Sequence, residues 1–458
     1  MDTAVTRHPL TVLLERKHWT YGMFLRKVAV QHRARGFGGL ATRKEKVARW
    51  ISGVAVPQVT AQLAMADVFG VDEQEVAARG WPDWLLAAFD DDHAFWESPW
   101  TPAGSVTVLR EVGGPVDRRG FLIASTGTLA AMVAQWATAE TASATLSVGS
   151  GLTTSVAGRR IGVEVAGQFD ARLAALRHLD DEIGSAHVYD AATTEIRIIA
   201  RLLAETTHSE QVGRRLHSAA AEACRLAGWC AYDSGHHASA ERHFIAALRA
   251  AASAGDHSMG ALTLAFWANL RYTGGDPRGA LDLLDGALSA RRNTSARVVA
   301  LLHARQARAH SLVGEPVPAL RAVEAAFSAY GNAAPAEEDL PALYWLNTGE
   351  LHQFAGSAAL SLGEPGRALE HFDAALRGED PYDREQEARG AAIYLARRSE
   401  AHLALGELDA AVEVAEQVVE LMGGVESARG TSALEDLRGG LLGHQDVPVV
   451  RTFLELTA

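Results

Sequence analysis

Residues 228–247 read GWCAYDSGHHASAERHFIAA, and the spacing inside this stretch returns four more times before Val418. A small residue, Gly228, stands seven positions before a glycine, Gly235. An alanine, Ala240, follows five positions on, and a second small residue, Ala247, seven beyond that. The same frame holds Ala268, Gly275, Ala280 and Ala287, then Ala307, Gly314, Ala319 and Ala326. It holds again for Gly356, Gly363, Ala368 and Ala375, and for Ser399, Gly406, Ala411 and Val418. A glycine that ends one helix just before another begins, flanked by small residues on both, predicts helical hairpins whose partners approach closely.

This frame resembles the tetratricopeptide repeat, a helix–turn–helix unit of about 34 residues. The turn glycines here are 40, 39, 49 and 43 residues apart, so the array is a variant of that plan. Arrays of this kind bind partners and seldom do chemistry. Upstream, Leu173, Leu176, Leu179, Ile196, Ile199 and Leu202 continue the helical period and predict a degenerate cap on the array. Within it, Asp180 and Asp181 are expected to be solvated or capping.

The chain has 458 residues, enough for two or more domains, and a net charge of −13. The charge is unevenly placed. Between Arg7 and Arg49 eleven Lys and Arg face only Glu15 and Glu45, whereas the rest is acidic. A basic head on an acidic body points to a nucleic-acid-facing module, with an ordinary solvated surface as the alternative. The start has no long apolar stretch, so no signal peptide is expected. The two cysteines, Cys224 and Cys230, share one helical pattern and cannot bridge each other.

The head reads as five short helices. Trp19-Thr20 opens the second, Thr42 is placed to cap a third over Arg43–Ile51, and Pro57 begins the fourth. Trp19-Thr20, the Arg49–Gly53 end of the third helix, Pro57 and the Leu63–Val71 run resemble the lambda-repressor-like (Xre) helix-turn-helix. The resemblance implies that the third helix enters the major groove. Arg43, Lys44 and Lys46 would then face DNA, with Thr42 and Arg49 as phosphate partners. Residues 32–40, HRARGFGGL, form an oversized basic turn between the second and third helices, expected to add phosphate contacts through Arg33 and Arg35.

Between head and array, residues 96–114 read as a Pro-rich linker. Asp117–Leu122 carries a twin-arginine-like Arg-Arg-x-Phe-Leu far inside the chain. With the apolar run that follows to Trp136, it is read as a buried helix rather than an export signal. Residues 137–158, rich in Ala, Ser, Thr and Gly, are expected to be flexible.

No phosphate loop, His-Glu-x-x-His or nucleophile elbow occurs, so no catalytic site, metal or cofactor is expected. Cys224, Cys230, His236, His237 and His243 lack zinc-site spacing and read as buried thiols and turn histidines. If the first helix of each unit lines a concave face, Arg225, Trp229, Tyr232, Asn269, Tyr272, Arg308 and Gln353 line a groove suited to an extended peptide. The alternative is that Trp229 and Tyr232 only fill the interior.

The Xre-like head, the Trp81–Leu85 closure, Asp117–Leu122, the Leu179–Asp181 helix and AGWCAYDSGHH at 227–237 occur together. The set resembles actinobacterial Xre-type helix-turn-helix regulators with C-terminal tetratricopeptide repeats. The expected fold is all-α: a lambda-repressor-like DNA-binding domain (1–84), a linker with a buried apolar helix at 117–136 (85–165), and a TPR-like α-solenoid (166–458). The resemblance implies a cytoplasmic, nucleoid-associated regulator, a repressor of differentiation or secondary-metabolite genes. It would bind double-stranded DNA as a homodimer and sense a peptide or small-molecule effector. The competing expectation is a TPR interaction protein that holds a protein partner without DNA.

Overall fold

A computed structural model describes residues 8–17, 19–88, 98–114, 126–146, 160–290, 294–335, 338–377, 388–422 and 427–457. Among these the chain is helical throughout, and its one extended pairing is a single bridge between Arg160 and Thr207. No helix among the described residues is long and apolar enough to cross a membrane. The chain divides into two compact units, residues 1–98 with 115–129, and residues 99–114 with 130–458.

The head contains α1 (Pro9–Arg16), α2 (Tyr21–Ala34), α3 (Glu45–Ile51), α4 (Val59–Phe69) and α5 (Glu73–Arg79), then a 3-10 turn at Asp83–Ala88. Thr20 begins α2 by accepting from the Met23 amide at 3.3 Å, and Asp72 begins α5 by accepting from Gln74 at 2.8 Å. Phe24 and Val28 of α2, Val47 and Trp50 of α3, and Met65 and Phe69 of α4 share one core with Trp84 and Leu85. The Trp84 indole donates to Gln62, which in turn donates to the Pro57 carbonyl, so the closing segment is tied to the start of α4.

The third helix differs from its expected form. It begins at Glu45 rather than Arg43, and Thr42 does not cap it. The amides of Lys46 and Val47 bond to Arg43 and Lys44, three residues back. The chain therefore enters α3 through a tight turn that satisfies these donors without a side-chain cap.

The body opens with α6 (Pro102–Val112) where a linker was expected. Proline there acts as a helix starter. Pro102 occupies the first turn, and Thr101 caps it by accepting from Gly104 at 3.2 Å. Ser105 donates to the Arg249 carbonyl at 3.1 Å, and Val108 and Leu109 are buried. The apolar helix, α7 (Thr126–Leu146 among the described residues), runs past Trp136 into the segment expected to be flexible. The twin-arginine-like residues 117–122 lie outside the described residues, as do 147–159.

The cap is α8 (Val163–Ile183) and α9 (Ser185–Glu205), packed on α10 (Glu210–Asp233). Five hairpins follow at the places the spacing predicts. They pair α10 with α11 (His237–Ala254), α12 (His257–Thr273) with α13 (Pro277–Ser289), and α14 (Ala296–Leu312) with α15 (Pro316–Tyr330). The last two are α16 (Thr348–Ser361) with α17 (Pro365–Leu376), and α18 (Ala388–Ala404) with α19 (Leu408–Met422). First helices of successive units also touch, and α20 (Ala428–Leu441) and α21 (Pro448–Leu456) cover the last hairpin.

All five turns are the same object. Each turn glycine has φ between 74° and 88°, the left-handed region. The next residue donates its amide five residues back: His236 to Ala231, Asp276 to Arg271, Glu315 to His310, Glu364 to Ala359 and Glu407 to His402.

Close packing explains the small residue at the head of each frame. A Cβ on Gly228 would stand 2.7 Å from Phe244 and 3.2 Å from the Ala240 carbonyl. One on Gly356 would stand 2.6 Å from Phe372 and 3.1 Å from the Ala368 carbonyl. Where the facing residue four beyond the frame alanine is Phe, the frame begins with Gly; where it is Leu284 or Val323, it begins with Ala. In the fifth frame the corresponding residue is Ala415, the frame begins with Ser399, and the Ser399 hydroxyl donates to the Ala411 carbonyl at 2.6 Å.

Gly356→Ala should therefore destabilise the body by about 1–3 kcal/mol, and Phe372→Leu in the same chain should recover part of that loss. Denaturant unfolding of the four proteins of the cycle measures it, and additive losses would contradict the steric account. His243 offers a second measurement. It is buried on α11, with Tyr189 Oη 3.0 Å from its Nε2. Burial, helped by the Arg242 charge, lowers its pKa from 6.5 to about 3. The unfolded chain therefore binds the extra proton first, so stability should fall as pH drops from 6.5 towards 3, by up to about 1.4 kcal/mol per pH unit for this group. His243→Gln should flatten that fall, read as Tm against pH.

Candidate functional site

The first helices of the five units, together with α8 and α20, surround one pocket of about 190 Å³. The frame places five of the seven expected groove residues on its wall: Arg225, Trp229, Asn269, Tyr272 and Arg308. Tyr232 is not on the wall. It is buried, bonds Thr273 at 2.8 Å through its hydroxyl, and backs the Trp229 ring at 5.7 Å. Gln353 is also buried off the wall, its Oε1 without a partner among the described residues.

Much of the rest of the wall comes from residues that the sequence did not single out. Tyr344 and Trp345 lie in the stretch that lengthens the third interval to 49 residues, just after a 3-10 turn at Pro341–Leu343. That irregular interval was the available signal. Phe266 stands edge-on between Trp229 at 5.3 Å and Trp345 at 6.2 Å, with interplanar angles of 85° and 89°. Arg305, Phe354 and Tyr394 come to the wall from the first helices of the third, fourth and fifth units.

Charge is dense here. Glu222 accepts both Arg225 Nε and Nη2 at 2.9 Å and Arg177 Nη1 at 3.0 Å. Burial pushes the Glu222 carboxyl up, but the two guanidinium groups outweigh burial and hold it below the ordinary range. Arg225 also lies 4.6 Å from the centre of the Phe266 ring. Arg305 donates to Tyr272 Oη and stacks on Phe354 at 4.8 Å. Arg308 is held by the Ser357 carbonyl at 2.5 Å and the Ser361 hydroxyl at 3.0 Å. Burial, reinforced by the Arg397 charge, lowers the Arg308 pKa to about 10.

The Leu-Asp-Asp pair is the largest departure from expectation. Asp180 is 2% exposed, neither solvated nor capping, and anchors a buried cluster. Arg389 of α18 donates to Asp180 at 2.8 Å, to Asp233 at 3.2 Å and to Ser185 at 3.1 Å. Asp180 also accepts from the Trp229 indole at 3.0 Å and from Ser185 at 2.5 Å. Burial would raise its pKa, but Arg389 outweighs it and keeps the carboxyl ionised. Asp181 accepts from the Tyr344 hydroxyl, and burial pushes its carboxyl up. Asp233 takes Ser427 and Arg429 as well. One arginine thus joins the cap to the fifth unit across 209 positions of sequence.

Cys224 and Cys230 are buried free thiols whose pKa values burial raises. No group of three potential metal ligands stands together among the described residues.

On the head, Arg33, Thr42, Arg43, Lys44 and Arg49 are exposed, and Lys46 is half-buried with its amine 5.9 Å from the centre of the Trp50 ring. Arg35 is different. Its Nε and Nη2 both bond Asp67 at 2.6 Å, and Nη1 bonds Glu73 at 3.0 Å. With both edges of the guanidinium occupied, it ties the end of α2 to α4 and α5 and is not available as a phosphate anchor. The oversized turn is itself built into the fold: His32 bonds the Gly38 carbonyl at 3.0 Å and Thr60 at 3.2 Å, and Leu40 packs on the core.

No family model and no curated protein matches the sequence. Among solved structures, a chain in the crystal structure of the APC/C hetero-tetramer Cut9–Hcn1 aligns over 82% of this chain at 11% identity, with a TM-score of 0.34. The chain covers 59% of that neighbour's length.

The Arg389 cluster yields a contrast. Arg389→Met strips buried Asp180 of its compensating charge and should cost about 3–5 kcal/mol. Arg215→Met removes the exposed pair with Asp170 and should cost at most about 1 kcal/mol. Thermal and denaturant unfolding of the two variants decide it, and equal losses would mean that the buried Arg389 cluster holds the body no better than a surface pair.

Proposed function

We propose that this chain is a binding protein: its repeat body takes a ligand into the inner pocket, and its basic head engages double-stranded DNA. On this reading it is a transcriptional regulator without catalytic activity, working as a homodimer on the nucleoid and repressing differentiation or secondary-metabolite genes. The observation that carries the binding reading is the pocket, where five of the expected groove residues converge with further buried guanidinium groups and aromatic rings. DNA engagement is supported by Arg33, Arg43, Lys44 and Arg49, all exposed, while Val47 and Trp50 turn the opposite side of α3 into the core. A dimer fits because one short head reads only a half-site.

A second reading has its own support. A seven-residue α3 beginning at Glu45, with Arg35 engaged inside the head, suits an interaction protein that holds a protein partner and no DNA. Salt-dependent binding of duplex DNA separates the two. In the regulator, replacing Arg43 and Lys44 by Ala should cost about 1–3 kcal/mol for each base-edge hydrogen-bond pair removed. Each phosphate anchor removed should lower the salt slope by about one. Arg35→Ala should instead destabilise the head. Unchanged DNA affinity in the Arg43, Lys44 double variant, or no salt-sensitive binding by the parent, leaves the interaction-protein reading.

A further inference from the structure

The carboxylates around the pocket are unevenly shared among its arginines. Arg177 and Arg225 share Glu222, Arg389 takes Asp180 and Asp233, and Arg397 pairs with Glu400 at 3.2 Å. Arg305 and Arg308, three residues apart on one face of α14, are bonded instead to neutral groups: a phenol, a carbonyl and serine hydroxyls. Each is 7% exposed. Glu350, on the same wall, accepts from the Tyr394 hydroxyl at 2.6 Å, and its charge is felt by Arg305. Two like charges buried side by side are costly unless further counter-charge arrives.

The unmet polar atoms on this wall point the same way. Asn269 Nδ2, Arg305 Nε and Arg177 Nε are buried without partners among the described residues, and all three are donors. The volume narrows the occupant further. At about 190 Å³ the cavity is smaller than the roughly 300–1,000 Å³ that drug-sized ligands fill, and an extended peptide does not fit it. The same pocket wall carries the edge-to-face rings of Trp229, Phe266 and Trp345.

We propose that the pocket binds a small organic anion, its carboxylate or phosphate held by Arg305, Arg308 and the Asn269 amide, and its flat apolar body set against Trp229, Phe266 and Trp345. The inference rests on the pocket being a ligand site and adds the chemistry of what enters it. It makes the effector a small acid and excludes a peptide lying along the groove.

Calorimetric titration of the full-length protein with phenylacetate, phenyl phosphate and uncharged phenylacetamide tests it. At least one of the two acids should bind, and the amide at least about tenfold more weakly; which acid binds distinguishes a carboxylate from a phosphate ligand. Arg308→Gln should weaken the acid about ten- to a hundredfold and leave the amide unchanged. Should that variant fold poorly, Asn269→Asp replaces it, because a carboxylate on the wall should abolish acid binding while the melting temperature holds. Amide binding equal to the acids would overturn the anion inference and leave the ligand pocket standing. An acid that binds both variants as it binds the parent lies elsewhere, which also overturns it. Failure of all three probes, charged and neutral, would remove the ligand reading of the pocket together with the inference.

Discussion

The body depends on how closely two helices can lie. In each hairpin the first helix carries a small residue at the same frame position, and at Gly228 and Gly356 it meets a backbone carbonyl and a phenylalanine ring of the second helix. Gly228 and Gly356 admit phenylalanine rings, Ala307 packs in one cluster with Val323, and Ser399 bonds the Ala411 carbonyl. Interiors packed to crystal-like density leave little slack, so this single approach sets the spacing of every pair and hence the path of the array. The inner pocket is a product of that path: its wall is what the first helices present once the hairpins are locked.

The parts of the molecule that sequence made legible are those governed by local sterics. A left-handed turn requires glycine, and a close crossing requires a small side chain, so both leave marks at fixed spacing. Five groove positions were readable for the same reason. What was not readable depends on partners far along the chain. Asp180 and Asp181 look like ordinary surface carboxylates until Arg389 arrives from α18. Arg35 looks like a phosphate anchor until Asp67 and Glu73 fold against it. Residues 102–112 misled for a different reason: proline marks a linker and a helix start equally well, and only the docking of Val108 and Leu109 decides.

The irregularities of the array are where its chemistry gathers. A perfectly periodic solenoid would present the same small set of residues at each step. Here the long third interval delivers Tyr344 and Trp345, and the cap delivers Arg177 and Asp180, to a wall that the repeats alone would leave uniform. Tyr344 joins the two kinds of departure by bonding Asp181.

Solenoids ordinarily behave as one-dimensional chains, in which stability adds up from neighbour to neighbour and the terminal units fray first. The Arg389 bond to Asp180 and Asp233 breaks that rule, because it links the fifth unit directly to the cap and the first. Loosening at either end then exposes a buried ion cluster, so the ends inherit the resistance of the middle. The array is thermodynamically a ring, and its last repeat must arrive before its first is fully secured, which makes the order of assembly non-local in a fold otherwise made of local contacts.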